Sequence, residues 1–276
     1  MSGTAIYKMT GSGNDFVMLD GRGTTPAEWP VERVVRVCDR RTGVGGDGLV
    51  ILTPERPGAV RMTYWNSDGS RAAMCGNAAL CSMRLAVLLE LAAPGRLCLL
   101  TDAGPVEGNG DPDGDQAEIH LADFALDAAV PPGVQPVDGE HWMEFATVGV
   151  PHLVVRVDDV ERVDVVGRGG RLRSDPSLGS GGANVNFVSP PLSPSTDWHI
   201  RTFERGVEGE TLACGTGTVA AGVALAAREE AELPVRFRSR GNQPLGVRAR
   251  LDRRSATDVW LGGQGRLVFR GVWESE

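Results

Sequence analysis

Two stretches of this chain place a cysteine at the mouth of an apolar segment. One reads MCGNAALCSMRLAVLLELAAPG around Cys75, the other ACGTGTVAAGVALAA around Cys214. In both, a glycine follows the thiol and the run behind it carries almost no charge: only Arg84 and Glu90 between Asn77 and Ala93, and nothing from Thr216 to Ala227. A helix that is apolar all round must be buried. Its first turn leaves backbone N–H groups unpaired at the positive end of the helix dipole. A thiol at such a tip has its pKa drawn down from the usual value of about 8.5. The same N–H groups can hold a carboxylate, and a glycine after the cysteine lets a ligand come close to the backbone. Two equivalent thiols facing each other suit proton removal from one face of a carbon and proton delivery to the opposite face. The thiolate is the base and the thiol the acid, and a stereocentre inverts. The helix tips would stabilise the negative charge that develops as an α-proton leaves.

Other chemistries find less support. Pyridoxal phosphate, which racemises amino acids, needs a lysine for its Schiff base. Lys8 is the sole lysine, and it lies in an expected strand with no phosphate-cradling motif beside it. The expectation is therefore no cofactor. The five cysteines (Cys38, Cys75, Cys81, Cys98, Cys214) form no Cys-x-x-Cys pair, and the four histidines lie far from them in sequence. Neither a disulfide framework nor a metal site is expected, and Cys38, Cys81 and Cys98 read as small buried hydrophobes. GVGGDG (43–48) matches a dinucleotide fingerprint but follows a helical segment and precedes a strand, the reverse of the required context. DPDGDQ (111–116) resembles the start of a calcium loop, yet Gln116 and Ala122 stand where Gly and Glu are needed, so it reads as a hairpin turn. A redox or metal-binding protein built on Cys75 and Cys214 is the reading from another class. Activity indifferent to thiol blocking would favour it.

The elements that must carry these cysteines can be read from composition and pattern. Glycine supplies 37 of 276 residues, about twice the usual share, which implies many short strands and tight turns. IYKMTGSGNDFVMLD reads as two strands around a Gly-Ser-Gly-Asn turn, and AEWPVERVVRVCDRRTG as a helix facing inward through Val31, Val34, Val35 and Cys38. The second half repeats this order: MEFATVGVPHLVVRVDDV gives strand, turn, strand, and VERVDVVGRGGRLRS a short helix. Cys75 and Cys214 lie 139 positions apart, and GNDFVMLD and PHLVVRVD end 138 apart, pairing Asn14 with His152. An internal duplication follows. The residues point to two halves, each with one buried central helix wrapped by that half's strands. The expected halves are 1–122 with 266–276, carrying Cys75, and 123–265, carrying Cys214. A net charge of −8 without a basic stripe argues against nucleic acid as a partner. No run approaches 18 apolar residues, so no membrane span is expected. The start MSGTAIYKMTGSGNDF lacks a secretory pattern, so the expected location is cytoplasmic.

GSGNDFVMLD, NSDGSRAAMCGN and FERGVEGETLACGTGT resemble the signature segments of the diaminopimelate epimerase family, and the similarity runs through both halves. The resemblance implies interconversion of LL- and meso-2,6-diaminopimelate without metal or organic cofactor, and a homodimer. The fold class it implies is α+β, with two pseudo-symmetric halves, each a curled, mainly antiparallel sheet wrapped around a central buried helix. It also implies roles for particular residues. Cys75 and Cys214 would be the acid/base pair. Asn14, His152 and Glu204 would orient the substrate near the reacting carbon. Gly76, Asn77, Gly215 and Thr216 would offer donors to its α-carboxylate, and Asn66, Asn184 and Arg205 would contact the distal amino-acid end. The chain departs from the family pattern at Val150, Ala78, Leu80 and Gly48, and ERGVEGET is one residue longer than the commoner form. A same-fold racemase of another amino acid, such as proline or histidine, is the alternative. The distal set favours a substrate with a second amino-carboxylate.

Overall fold

The computed structural model describes residues 3–191 and 197–274 of the chain. They divide into two compact units, Met1–His120 with Gly262–Glu276, and Leu121–Leu261. Sheet dominates, with few helices.

The first unit contains β1 (Thr4–Gly11), β2 (Asn14–Asp20), α1 (Val31–Cys38), β3 (Gly48–Arg56), β4 (Ala59–Asn66), α2 (Gly76–Leu88), β5 (Leu97–Thr101), β6 (Gly104–Gly110) and β7 (Gln116–Leu121). Successive strands pair antiparallel, except that β2–β3 and β4–β5 are parallel. A parallel pair needs a crossover, and α1 and α2 supply the two. β1 and β2 are joined by Ser12 and Gly13, whose φ angles of 50° and 105° make the two-residue hairpin turn that right-twisted strands prefer. That turn delivers Asn14 at the start of β2.

The second unit repeats the plan with β8 (Phe124–Ala125), β9 (Glu140–Val148), β10 (Val150–Val157), α3 (Val165–Arg173), β11 (Asn184–Ser189), β12 (Trp198–Glu204), β13 (Gly209–Thr211), α4 (Gly215–Ala227), β14 (Val235–Arg238) and β15 (Pro244–Asp252). Here β9–β10 and β11–β12 are antiparallel, while β10–β11 and β12–β14 are parallel. The register is repeated too: Phe16 pairs with Gly48 and Val154 with Asn186, each partner 138 positions further on. β16 (Ser255–Gln264) and β17 (Arg266–Trp273) end the chain, and β17 lies antiparallel to β1.

α2 and α4 are the central helices. Every residue from Asn77 to Val87 and from Gly217 to Leu225 is buried. Arg84 is the one charge inside α2, and its guanidinium is met by backbone carbonyls of the β6–β7 turn: Nε donates to the Gly114 oxygen at 2.6 Å and Nη2 to that of Pro112 at 3.2 Å. DPDGDQ is thus a hairpin turn that solvates a buried arginine. α2 stops at Leu88, short of its apolar run to Ala93, while α4 ends with its run at Ala227. Leu91 N donates to Ala86 O and Glu230 N to Leu225 O, with Glu90 at φ 55° and Glu229 at φ 59°. These are Schellman ends, which satisfy the last carbonyls by turning left-handed.

β2 is buried on both sides, so its sequence shows no alternation. Val17 and Leu19 pack with Leu49, Ile51, Trp65 and the helix α1 residues Val34, Val37 and Cys38. Period-two geometry then turns Asn14, Gly48, Tyr64 and Asn66 to the α2 side. In the second unit Leu153, Val155, Val185 and Phe187 pack beneath α3, which turns His152, Asn184 and Asn186 to the α4 side. α1 itself faces differently from the sequence expectation. Val31 and Val35 are 52% and 42% exposed, and Val37 is buried with Val34 and Cys38. The inward stripe is Val34, Val37 and Cys38, spaced i, i+3 and i+4, and Val31 and Val35 lie outside it. β8 and the short β13 had no legible signal. Among the described residues no helix is long and apolar enough to cross a membrane.

Lys8, the only lysine, is buried and bonded to Asp15 at 2.6 Å and to the Gly45 carbonyl. Arg40 reaches the other Asp15 oxygen at 2.6 Å. Burial alone would raise the Asp15 carboxyl, but its bonds to Arg40 and Lys8 outweigh that and hold it at about 2, against an ordinary 3.8. A depressed carboxyl pKa contributes stability above the unfolded value and loses it as pH falls through the folded one. Unfolding free energy is expected to drop by about 2 kcal/mol between pH 4 and pH 2 from this group. Urea titrations of wild type and Asp15→Asn check this: the variant is the less stable above pH 4, and the gap closes towards pH 2.

Candidate active site

Cys75 and Cys214 are the N-cap residues of α2 and α4. Both have extended backbones, with φ, ψ of −140°, 123° and −129°, 108°, and neither thiol caps its own helix. The first-turn N–H groups therefore lack a side-chain cap and point out from the helix at its positive end.

In the first unit the tip is reached by a relay of fixed polarity. Asn77 Nδ2 donates to Asn14 Oδ1 at 2.6 Å, and Asn14 Nδ2 donates to Asp47 Oδ2 at 2.8 Å. The carboxylate can only accept, so it sets the orientation of both amides. Asp47 is in turn held by Arg40 Nη2 at 2.8 Å. The GVGGDG stretch is what carries Asp47 here: Val44 and Gly45 N–H groups fold back on the Val37 carbonyl at the end of α1.

The second unit makes the equivalent contact with different chemistry. His152 Nε2 lies 3.0 Å from Thr216 Oγ1, and Asn186 Nδ2 lies 3.3 Å from both His152 Nδ1 and the Leu153 carbonyl. Asn186 Oδ1 accepts from Thr202 Oγ1 at 3.0 Å. With Asn186 donating to Nδ1, the imidazole proton sits on Nε2 and is given to Thr216. The Thr216 hydroxyl is left to point towards Cys214, whose sulfur lies 3.8 Å away. His152 has no exposed surface. Burial, aided by the positive charge of Arg205, pushes its pKa down to about 3. Asn14 and His152 thus each bond the second residue of the central helix, Asn77 and Thr216, which are 139 positions apart.

Around these tips lie the other expected residues. Tyr64 Oη donates to Asn66 Oδ1 at 3.0 Å. Asn184 is buried in register with His152, and its Oδ1 accepts from the Arg205 backbone N–H at 2.8 Å. Burial raises the Glu204 carboxyl above its ordinary value, and the nearby Thr211 hydroxyl offsets only part of this. The longer ERGVEGET segment is absorbed in the β12–β13 turn. Gly206 and Glu208 have φ of 90° and 54°, and Arg173 grips the Glu208 carboxylate at 2.7 Å.

The two glycines that follow the cysteines differ. A Cβ on Gly76 would meet nothing within 4 Å, so the space beside that tip is open, whereas one on Gly215 would lie 2.6 Å from Leu261 Cδ2. A side chain at position 215 would therefore have to displace the end of Leu261. Ala78 and Leu80 are wholly buried, so these two departures line the core of α2. The sequence reading missed Asp47, Tyr64 and Asn186. Asn186 could have been found, because it lies two residues along β11 from Asn184 and so shares its face. Among the described residues no cluster of three or more His, Cys, Asp or Glu could hold a metal.

A family model described as diaminopimelate epimerase matches residues 6–122 and 145–243. The chain belongs to the diaminopimelate epimerase family. It is 41% identical to a diaminopimelate epimerase of Gemmatimonas aurantiaca, with 97% of this chain and 98% of the relative covered. The Aquifex aeolicus diaminopimelate epimerase is 34% identical, with 98% of each covered. Solved structures share the fold at low identity. A PhzF-family phenazine biosynthesis protein of Bacillus anthracis has a TM-score of 0.72 at 13% identity and full coverage of both chains. A probable proline racemase of Agrobacterium radiobacter has 0.66 at 14%, covering 99% of this chain and 93% of that one. The α+β fold of curled sheets around central helices is therefore that of this family and its epimerase-like neighbours.

For His152 the sign of the pH effect is fixed by its depressed pKa. It contributes stability above the unfolded value of 6.5, and that contribution is lost as pH falls towards 3. In ¹⁵N NMR, His152 is expected to keep the neutral Nε2–H tautomer from pH 8 down to about pH 5. A titration near pH 6.5 would contradict the relay.

Proposed function

We propose that this protein interconverts LL- and meso-2,6-diaminopimelate by a two-base mechanism in which Cys75 and Cys214 are the acid/base pair. One thiolate takes the α-proton, and the other thiol gives its proton to the opposite face of the same carbon. The sulfur that gained the proton ends as thiol, the other as thiolate, and the reverse reaction exchanges their roles. The α-carboxylate is held by the first-turn N–H groups at Gly76, Asn77, Gly215 and Thr216, where the helix dipoles offset the charge developing on the α-carbon.

The observation that carries this reading is the repeated one: a thiol as N-cap of a buried, uncapped central helix, with a polar relay ending on the second helical residue. Asn14, His152 and Glu204 orient the substrate at the reacting carbon. His152, neutral and fixed in tautomer, does so as a donor through Thr216. Asn66, Asn184 and Arg205 bind the distal amino-carboxylate, which is what separates this substrate from proline or another simple amino acid. The two units are the functional halves, one for each cysteine. No organic cofactor or metal takes part, and Lys8 is engaged by Asp15 and the Gly45 carbonyl. The enzyme works in the cytoplasm as a homodimer, a state that light scattering can check. It needs no nucleic-acid or membrane partner.

The test is epimerisation of LL-diaminopimelate by the purified protein with nothing added, followed in heavy water by α-proton exchange. Wild type is expected to form the meso isomer with deuterium at the inverted carbon. Cys75→Ala and Cys214→Ala are each expected to lose turnover by about a thousandfold or more while circular dichroism is unchanged. Near-normal turnover in either variant would rule out the two-base scheme. A clear preference for an amino acid without a distal carboxylate would overturn the substrate assignment.

A further inference from the structure

We infer that Arg173 is a positioning residue for the distal end of the substrate: its guanidinium ties the loop ahead of Asn184 to the turn behind Arg205, and so fixes these two residues relative to each other. This rests on the distal role proposed for Asn184 and Arg205.

Both residues sit where regular structure ends. Asn184 is the first residue of β11, and Arg205 is the first residue past β12. Strand pairing fixes the strands but leaves such connections mobile unless something else holds them. The loop ahead of Asn184 contains Gly179, Gly181 and Gly182, with Gly179 and Gly182 at φ of 80° and 59°. The turn behind Arg205 contains Gly206 and is one residue longer than the commoner family form. Glycine backbone of this kind has wide conformational freedom.

Arg173 supplies the hold. It is the last residue of α3, and α3 is itself fixed against the sheet. Gly169 approaches β12 so closely that a Cβ there would lie 2.6 Å from Phe203 Cβ. Val165 and Leu172 are buried in one core with Phe203. Arg168 grips the Glu140 carboxylate through two bonds of 2.8 Å. From this platform Arg173 Nε and Nη2 reach the Glu208 carboxylate at 2.9 and 2.7 Å, while Nη1 donates to the Gly181 carbonyl at 3.2 Å. Glu208 carries the grip into its own turn. Its carboxylate accepts from the Gly206 N–H at 3.0 Å, and its N–H closes on the Glu204 carbonyl at 2.9 Å. On the other side Gly182 lies against Arg173, and a Cβ there would run into the Arg173 carbonyl and Nη1. A guanidinium is planar and rigid, so the spacing of its nitrogens sets the spacing of the two segments.

The residues thus held also touch each other. Asn184 Oδ1 accepts from the Arg205 N–H at 2.8 Å, and Arg205 Nη1 lies 3.5 Å from the Gly181 carbonyl that Arg173 holds. Surface ion pairs contribute little to stability unless their geometry is bidentate. The Arg173 side chain is 19% exposed and that of Glu208 53%, so the value of this bidentate pair lies in local geometry.

The test is hydrogen exchange by mass spectrometry on the full chain, with kinetics in parallel. Glu208 bonds to Arg173 and Gly206, so its replacement can reach residues 179–184 through Arg173. Glu208→Gln is expected to speed exchange about tenfold at 179–184 as well as at 205–209, and Arg173→Met to do the same. The α4 peptide should not change. Each variant is expected to raise KM for LL-diaminopimelate about tenfold and to leave kcat within about twofold, because distal binding is weakened while the thiols are untouched. Unchanged exchange at 179–184 in Glu208→Gln would overturn the inference. So would an unchanged KM in variants that epimerise diaminopimelate. Glu208 is exposed, so Glu208→Gln keeps the test decisive even where Arg173→Met does not fold. Exchange needs no turnover. Faster exchange in both segments of a chain that fails to epimerise diaminopimelate would sink the substrate reading and leave the tie between the segments standing.

Discussion

A helix without a polar face can exist in water only if something covers all of it, and two such helices set the terms for this protein. α2 and α4 are buried along nearly their whole lengths, so strands must curl around them. The only part of each helix that can stay polar is an end. At the C-terminal ends the carbonyls are satisfied internally, by the left-handed turns at Glu90 and Glu229. At the N-terminal ends the cap residue is a cysteine that leaves the first-turn donors to other partners. Chemistry collects at the two tips because nowhere else on these helices can hold it.

The polar residues at each tip are oriented by groups that cannot reverse their role. In the first unit a carboxylate, Asp47, sets two amides in series. In the second a main-chain carbonyl, that of Leu153, sets Asn186, which sets the tautomer of His152. The two relays end at equivalent helix positions but differ in kind. The asparagine pair is a run of two amides whose polarity Asp47 fixes. A buried imidazole whose pKa is driven down to about 3 presents a donor only. Duplication preserved the frame and the register, and divergence within that frame gave the two thiols unlike surroundings.

Packing explains several residues whose types suggest function. Gly215 gives way to Leu261, and Gly217 leaves room for Asn186, whose Oδ1 would lie 2.1 Å from an added Cβ. Arg84 is a buried charge solvated by a turn, and Lys8 is a buried charge paired across the first hairpin.

Local sequence determined the elements. Alternation, glycine turns and chargeless runs marked most strands and both central helices, because hydrophobic period and turn stereochemistry act within a few residues. The two cysteines, and the repeat relating them, were legible for the same reason: each is a short pattern seen twice. Tertiary structure decided what depends on strand neighbours. The register of β2 on β3 brings Asp47 to Asn14, and that of β10 on β11 brings Asn186 to His152. It also decided which stripe of α1 is inward and that Tyr64 owns the corner beside Gly48. Pairing across a sheet joins residues dozens of positions apart. Its energy comes from side chains that meet only once the chain has folded, so no local pattern carries it.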